Sequence, residues 1–435
     1  MKHELNLSHL WRLFVPLALS WLFMALEQPA LTRILNGMPD FELTKAALYL
    51  LMGLCLFFES PVIDLLATAT ALGRNGSNVA AVRRFSLLMM ATTVVTHGLV
   101  AFTPLYHWLT VEVLDQSPEV AAVAHTPFMI MTVWASFVGW RRAHQGFMIR
   151  AGMTRAIGLG TVLRLVALVG VTLAAATTLE PLVAVALGLV ASVVAEAAYI
   201  HIVSRNAVAE ISLRDSELPT KSTAEIAWFH LPQTATTLVV MLTAPAISRA
   251  ISAGPDPVAN QSAWSMAFAL QWLFRSAIYA LPELVIANGD ERQGRPVLVR
   301  FCLIVGLSLS AAMIAVATTP LGALVFQGAL AATLAETDRA TPALLLCALL
   351  PLIGAVASLY RGLLTMSGVT VARLWAIFAG FSAMVLALYL GTKAAWPGVV
   401  TASVGLVAGQ VAELAVLSIS WNRVDRRERL AAAPT

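Results

Sequence analysis

An apolar run long enough to cross a bilayer, interrupted by charges and prolines and present twice, constrains this chain more than any other feature. The stretch from Trp11 to Gly37, WRLFVPLALSWLFMALEQPALTRILNG, is such a run. Pro16 and Pro29 break it, and Glu27, Gln28 and Arg33 stand where lipid rejects polar groups. Moving 216 positions along gives WFHLPQTATTLVVMLTAPAISRAIS, from Trp228 to Ser252. Pro16 then meets Pro232, Pro29 meets Pro245, and Arg33 meets Arg249. A motif this unusual, repeated at half the chain length, describes a duplicated membrane protein.

The register extends well past the first span. At the same offset Leu54 meets Leu270, Phe58 meets Phe274, Gly73 meets Gly289, Arg84-Phe85 meets Arg300-Phe301, and Gly146 meets Gly362. Glu196 meets Glu413 one residue out of step. Single identities carry little weight in so apolar a sequence, but a nearly gapless register over five spans does. About twelve spans fit a length near 20 residues, six per half: Leu10–Ile34, Ala46–Ala71, Phe85–Tyr106, Val120–Trp140, Ala156–Thr177 and Pro181–Val203, then Ile226–Ile251, Gln261–Ile286, Val297–Pro320, Ala340–Leu359, Val371–Leu390 and Val399–Trp421. Six is an even number, so the two copies share one orientation and are related by a pseudo-twofold axis along the membrane normal. The expected class is therefore an all-α polytopic membrane protein. The halves run over residues 1–203 and 223–421, with a polar linker at 204–222 and a basic tail at 422–435.

Of the 435 residues, 59% are hydrophobic and 12% charged, which excludes an ordinary soluble domain. The three cysteines, Cys55, Cys302 and Cys347, lie in apolar runs and indicate neither a disulfide framework nor a thiolate metal site. No cleavable signal peptide is expected, because the first apolar run is too long for one. Arginines cluster in alternate loops: Arg74, Arg83 and Arg84; Arg141, Arg142, Arg150 and Arg155 around the loop after span four; Arg205 and Arg214; Arg292, Arg295 and Arg300; and the tail. Acids dominate the opposite loops. These basic loops and both termini are expected on the cytoplasmic side of a cell membrane.

Ionisable groups at bilayer depth are functional candidates by default. Glu27 and Arg33 lie in the outer half of span one, Arg249 in the outer part of span seven, and Glu59 midway along span two. The repeat equivalent of Glu59 is Arg275, so the halves place opposite charges at related depths. Asp64 and Glu283 lie further inward, and Gln28, Gln233 and Gln271 are neutral polar neighbours. Each has a plainer reading beside the functional one. Arg33 and Arg249 can snorkel to the interface, and Glu59 with Arg275 can form a structural pair. Arg164 and Glu196 are most simply a neutralised pair holding one lobe. Glu413 lacks that partner, since Gly380 occupies the place of Arg164, which leaves it open to a proton relay or a lone hydrogen-bonded acid. His97 and His230 suit packing better than titration.

No phosphate-binding loop, H-E-x-x-H or G-x-S-x-G motif is present, and the eight histidines are not spaced for a metal. No cofactor, metal site, enzymatic activity or nucleic-acid partner is expected. An intramembrane enzyme would have only His97 or His230 as its base.

The loops ALGRNGSNVAAVRRF and IANGDERQGRPVLVRF resemble those of the multidrug and toxin extrusion (MATE) proteins and their wider superfamily. FVPLALSWLFMALEQPALTR, LCLFFESPVIDL, His97-Gly98-Leu99, WASFVGWRRAHQGFMIRAG and PAISRAIS are more closely similar to the progressive ankylosis family. That resemblance implies a V-shaped, two-lobed bundle with a central cleft lined by spans one, two, seven and eight. It also implies export of small anions such as citrate, ATP and pyrophosphate-related species. Arg33, Arg249 and Arg275, with Gln28 and Gln271, are then the expected anion ligands, because guanidinium groups pair bidentately with carboxylate and phosphate. Glu27, Glu59, Asp64 and Glu413 are expected in coupling or gating, with a proton or sodium ion as the coupling species. The expected partners are a small anionic solute and membrane lipid, the expected state a monomer. A multidrug exporter or lipid-linked precursor flippase is the alternative, and a scaffold or intramembrane enzyme stands behind those.

Overall fold

The structure, a computed structural model, describes residues 5–35, 41–213, 219–329 and 333–431. The side chains at 26, 28–30, 32, 33, 41, 42, 329 and 431 lie outside the described set. Every regular element among the described residues is helical. Among the described residues, eleven helical stretches are long and apolar enough to cross a membrane. The remaining expected span, the eighth, is also helical, as Pro257–Ser276, a short turn at Ala277–Ala280, and Leu281–Asn288. It carries Asn260, Gln261, Gln271, Arg275 and Glu283, a polar load that keeps its hydropathy below that of its neighbours.

The chain forms two compact units, one of Val15–Thr234 and one of Met1–Phe14 with Ala235–Thr435. Their limits fall inside helices. Leu7–Leu35 begins in one unit and finishes in the other, and Thr223–Met241 does the converse. The repeat explains this exchange. Phe14 packs edge-on against Phe301 at 5.3 Å. In the other unit His230 packs edge-on against Phe85 at 5.2 Å. Both residues of each pair are repeat equivalents of the other pair.

The cores repeat in the same way. One buries Ala47, Leu51, Leu54, Ala124, Phe128, Met131, Trp134 and Leu168. The other buries Ala263, Ala267, Leu270, Ala340, Leu344, Cys347, Leu350 and Met384, the same positions one repeat on. Small residues let the helix backbones approach. A Cβ on Gly146 would stand 2.6 Å from Ala69 Cβ and the Leu66 carbonyl, and one on Gly362 would stand 2.6 Å from Val285 Cβ. The duplicated glycines are thus demanded by close contact with the second half of span two for Gly146 and of span eight for Gly362.

Two spans are broken at equivalent places in each unit. Span two is interrupted at Asp64, and span eight at Ala277–Ala280. Span four passes from Pro118–Ile130 through Met131–Val133 into Trp134–Arg150, and span ten from Leu334–Leu346 through a turn into Leu350–Met366. Pro61, Pro127, Pro342 and Pro351 remove backbone donors near these breaks.

The sequence reading ended span four at Trp140 and put Arg141 and Arg142 in a loop. Instead the helix continues to Arg150 and both arginines are buried, at 1% and 5% exposure. A hydropathy limit is misleading here because carboxylates on other helices compensate these charges. The expected linker also begins later, since Pro181–Ser212 stays helical while Ala207 and Ile211 remain buried.

Gly146→Val and Gly362→Val should each destabilise the protein by about 1–3 kcal/mol through overpacking. Thermal unfolding in detergent checks this, and an unchanged midpoint for both would contradict the close approach.

Candidate polar sites in the two units

In the Val15–Thr234 unit, Arg141 and Gln145 stand one turn apart on Trp134–Arg150 and so face the same way. Both reach Glu196, which is fully buried on Pro181–Ser212. Arg141 Nη1 donates to Glu196 Oε2 at 2.6 Å, and Gln145 Nε2 donates to Oε1 at 3.2 Å. Arg164 Nη2 donates to Glu27 Oε2 at 2.6 Å. The pair expected between Arg164 and Glu196 is present only as a 4.0 Å contact, because each member has a closer partner. Arg142 lies over the Trp21 ring at 5.0 Å. Glu59, 5% exposed, sits within electrostatic reach of Arg142, Arg141 and Arg164. The cluster joins three arginines to three glutamates. Its charges balance, which offsets much of the cost of placing them in a low-dielectric interior. Glu27 Oε1 and Glu59 Oε2 have no hydrogen-bond partner among the described residues.

The other unit centres on the equivalent glutamate. Arg361, at the repeat position of Gln145, donates from Nε and Nη2 to Glu413 Oε1 at 2.9 and 2.5 Å. Gln410, one turn earlier on Gly398–Ala431, donates from Nε2 to Glu413 Oε2 at 3.1 Å. Its Oε1 accepts from Arg275 Nη2, also at 3.1 Å. Arg275 is half-buried in the last turn of Pro257–Ser276, where the helix dipole favours a cation. Gln271, one turn before it, is buried, and its carbonyl oxygen has no partner among the described residues. This hydrogen-bonded chain holds two arginines against one glutamate and so carries an excess positive charge.

A cavity of about 40 Å³ lies beside Glu413 and Gln410, lined also by Thr243, Gly380 and Gly409. Thr243 and Gly380 are the repeat equivalents of Glu27 and Arg164. The space filled by an ion pair in one repeat is therefore empty volume in the other.

The remaining candidates are dispersed. Arg249 is exposed near the end of Thr243–Ser252. Asp64 and Glu283 are half-buried beside the breaks in spans two and eight. The side chains of Gln28 and Arg33 lie outside the described residues. His97 donates from Nε2 to the Phe128 carbonyl at 3.1 Å and stacks on that ring at 4.1 Å. His230 Nε2 donates to the Pro61 carbonyl at 2.7 Å, and its Nδ1 is 2.9 Å from Thr68 Oγ1. Gln233 Nε2 donates to Thr68 Oγ1 at 3.4 Å. These two side chains hold both sides of the break at Asp64. Sequence reasoning missed Arg141, Gln145, Arg361 and Gln410. The one available signal for Arg361 was its place beside the duplicated Gly362.

No sequence-family model matches the chain, and neither does any curated protein. Solved structures do match over nearly its whole length. A MOP superfamily transporter from Pyrococcus furiosus, described as having a binding pocket of reverse polarity that suggests a different function, aligns with a TM-score of 0.77 at 16% identity, covering 96% of each chain. An outward-facing multidrug resistance MATE family transporter aligns at 0.76 and 15% identity, covering 97% of this chain and 96% of that one. A mutant of the Vibrio cholerae MATE transporter VcmN aligns at 0.77 and 16%, covering 97% of each. The chain has the all-helical fold of MATE-type transporters. The likeness is one of fold and does not single out the ankylosis family.

Removing one member of a buried pair leaves the other charge uncompensated, at a cost of about 3–5 kcal/mol. Arg141→Met and Glu196→Met should each lower the unfolding midpoint strongly, and the double variant should recover most of the loss. Simple addition of the two losses would contradict direct pairing.

Proposed function

We propose that this chain is a secondary-active transporter that exports a small organic or phosphate-containing anion, of the citrate, nucleotide or pyrophosphate class, by alternating access of its two repeats. The observation carrying this reading is the uncompensated positive charge on the second repeat. Arg275 has a neutral amide as its acceptor, while the carboxylate nearby is already held by Arg361. A guanidinium poised in this way attracts an anionic oxygen and disfavours a cation. Gln271, one turn away, is the second proposed contact for the solute through its amide NH2, the only part of that side chain that can donate to an anionic oxygen. Arg33 and Arg249, duplicated in their spans, and Gln28 are the other proposed anion ligands. The Pyrococcus furiosus neighbour, described as having a binding pocket of reverse polarity, supports the idea that this fold does not fix the polarity of its pocket.

Coupling falls to the acids. Glu27 and Glu59 each keep one buried oxygen without a partner among the described residues, which suits a proton or sodium ion. Asp64 at the span-two break and Glu413 beside the cavity are the further gating candidates. The protein would work as a monomer in the cell membrane, with its basic loops cytoplasmic. The finer kinship with the ankylosis family belongs to this proposal. A second reading, export of cationic drugs, is favoured by those same two unpartnered carboxylate oxygens and by the multidrug transporters among the structural neighbours.

In proteoliposomes, Arg275→Ala should abolish uptake of citrate or pyrophosphate while the variant keeps the wild-type elution profile and unfolding midpoint. Undiminished uptake would refute the anion-ligand role. Uptake of a lipophilic cation in place of either anion would favour the second reading.

A further inference from the structure

Resting on the reading of Arg275 as an anion ligand, we propose that Gln410 is the positioning residue that sets the polarity of that arginine. Its amide bridges two groups of opposite hydrogen-bonding character. Glu413, pinned by Arg361, offers only acceptors when ionised, so Gln410 must turn its NH2 toward it, and Nε2 lies 3.1 Å from Oε2. Arg275 offers only donors, so Gln410 must turn its carbonyl oxygen toward it, and Oε1 lies 3.1 Å from Nη2. Both neighbours dictate the same amide orientation. The result is a guanidinium that is aimed but not neutralised.

A glutamate at this place would aim Arg275 equally well and cancel its charge. A leucine would leave the charge and lose the aim. The glutamine is the choice that gives both orientation and retained charge. The arrangement also belongs to one repeat only. The equivalents of Gln410 and Arg275 are Val193 and Glu59, which cannot form such a bridge. The cavity of about 40 Å³ beside Gln410, where the other repeat holds the Arg164 guanidinium, keeps this end of the chain free of a competing charge. Gly380 supplies that space, and the backbone leaves no room for a side chain there: a Cβ would stand 2.8 Å from the Gly409 carbonyl.

The test uses full-length protein in proteoliposomes, with labelled citrate and pyrophosphate as probes, measuring KM and Vmax for wild type, Arg275→Gln, Gln410→Glu and Gln410→Leu. Gln410→Glu should raise KM by tenfold or more, as expected on the order of magnitude for one charge cancelled at contact distance. Gln410→Leu should raise KM by roughly threefold to tenfold with Vmax held within about twofold, as lost orientation worth about one ordinary hydrogen bond implies. A merely structural role would instead lower Vmax and the unfolding midpoint together, and that result would overturn the proposal. Should Gln410→Glu fail to fold, Gln410→Leu alone decides through its split between KM and Vmax. If Arg275→Gln loses uptake while both Gln410 variants keep the wild-type KM, the positioning role is wrong and the anion reading stands. If Arg275→Gln takes up both anions unchanged, or wild type takes up neither, the anion reading falls and this inference falls with it.

Discussion

Each repeat is built around a glutamate on its last helix, buried where an uncompensated charge would be costly to hold. Glu196 and Glu413 are both nearly inaccessible, and each takes hydrogen bonds from an arginine on the second half of the broken fourth span. That pairing ties two distant parts of the sequence together in a medium where lipid supplies no competing partner. The helix breaks and the small residues follow from the same requirement. Gly146 and Gly362 let each arginine-bearing helix approach span two and span eight respectively, closely enough to bring its polar face inside.

From this common plan the repeats diverge in charge. The first adds Arg164 with Glu27 and Arg142 with Glu59, and its charges close on themselves. The second has Gly380 and Thr243 at the places of Arg164 and Glu27, leaving a small cavity, and has Arg275 at the place of Glu59. One repeat thus holds a charge-balanced polar core. The other carries spare positive charge next to open volume. Under the proposed transport function, such an asymmetry would let solute and coupling ion use different halves, and that division is the basis of the proposal.

Much of the fold was legible in the sequence because bilayer length and an internal repeat are strong signals. The register that aligns Leu54 with Leu270 also aligns the two cores and the paired ring contacts of Phe14 and His230. The polar sites were legible only in part. Glu27, Glu59, Arg164, Glu196, Arg275 and Glu413 stand out because each interrupts an apolar run. Arg141 and Arg142 did not, since a basic pair at the end of a hydrophobic stretch has the same appearance as a cytoplasmic loop. Arg361 was hidden by a different effect: its repeat equivalent is Gln145, so comparison of the halves offered no matching charge. Pairing is a three-dimensional property, which is why Arg164 was assigned to Glu196 when Glu27 is the closer partner.

The account centres on a solute of negative charge. A ligand-induced thermal-shift measurement on purified wild-type protein, with citrate, nucleotides, pyrophosphate and lipophilic cations compared side by side, tests it most directly. The account predicts that at least one of the anions raises the unfolding midpoint in a saturable way and that the lipophilic cations leave it unmoved. Saturable stabilisation by the cations, with no response to any of the anions, would contradict it.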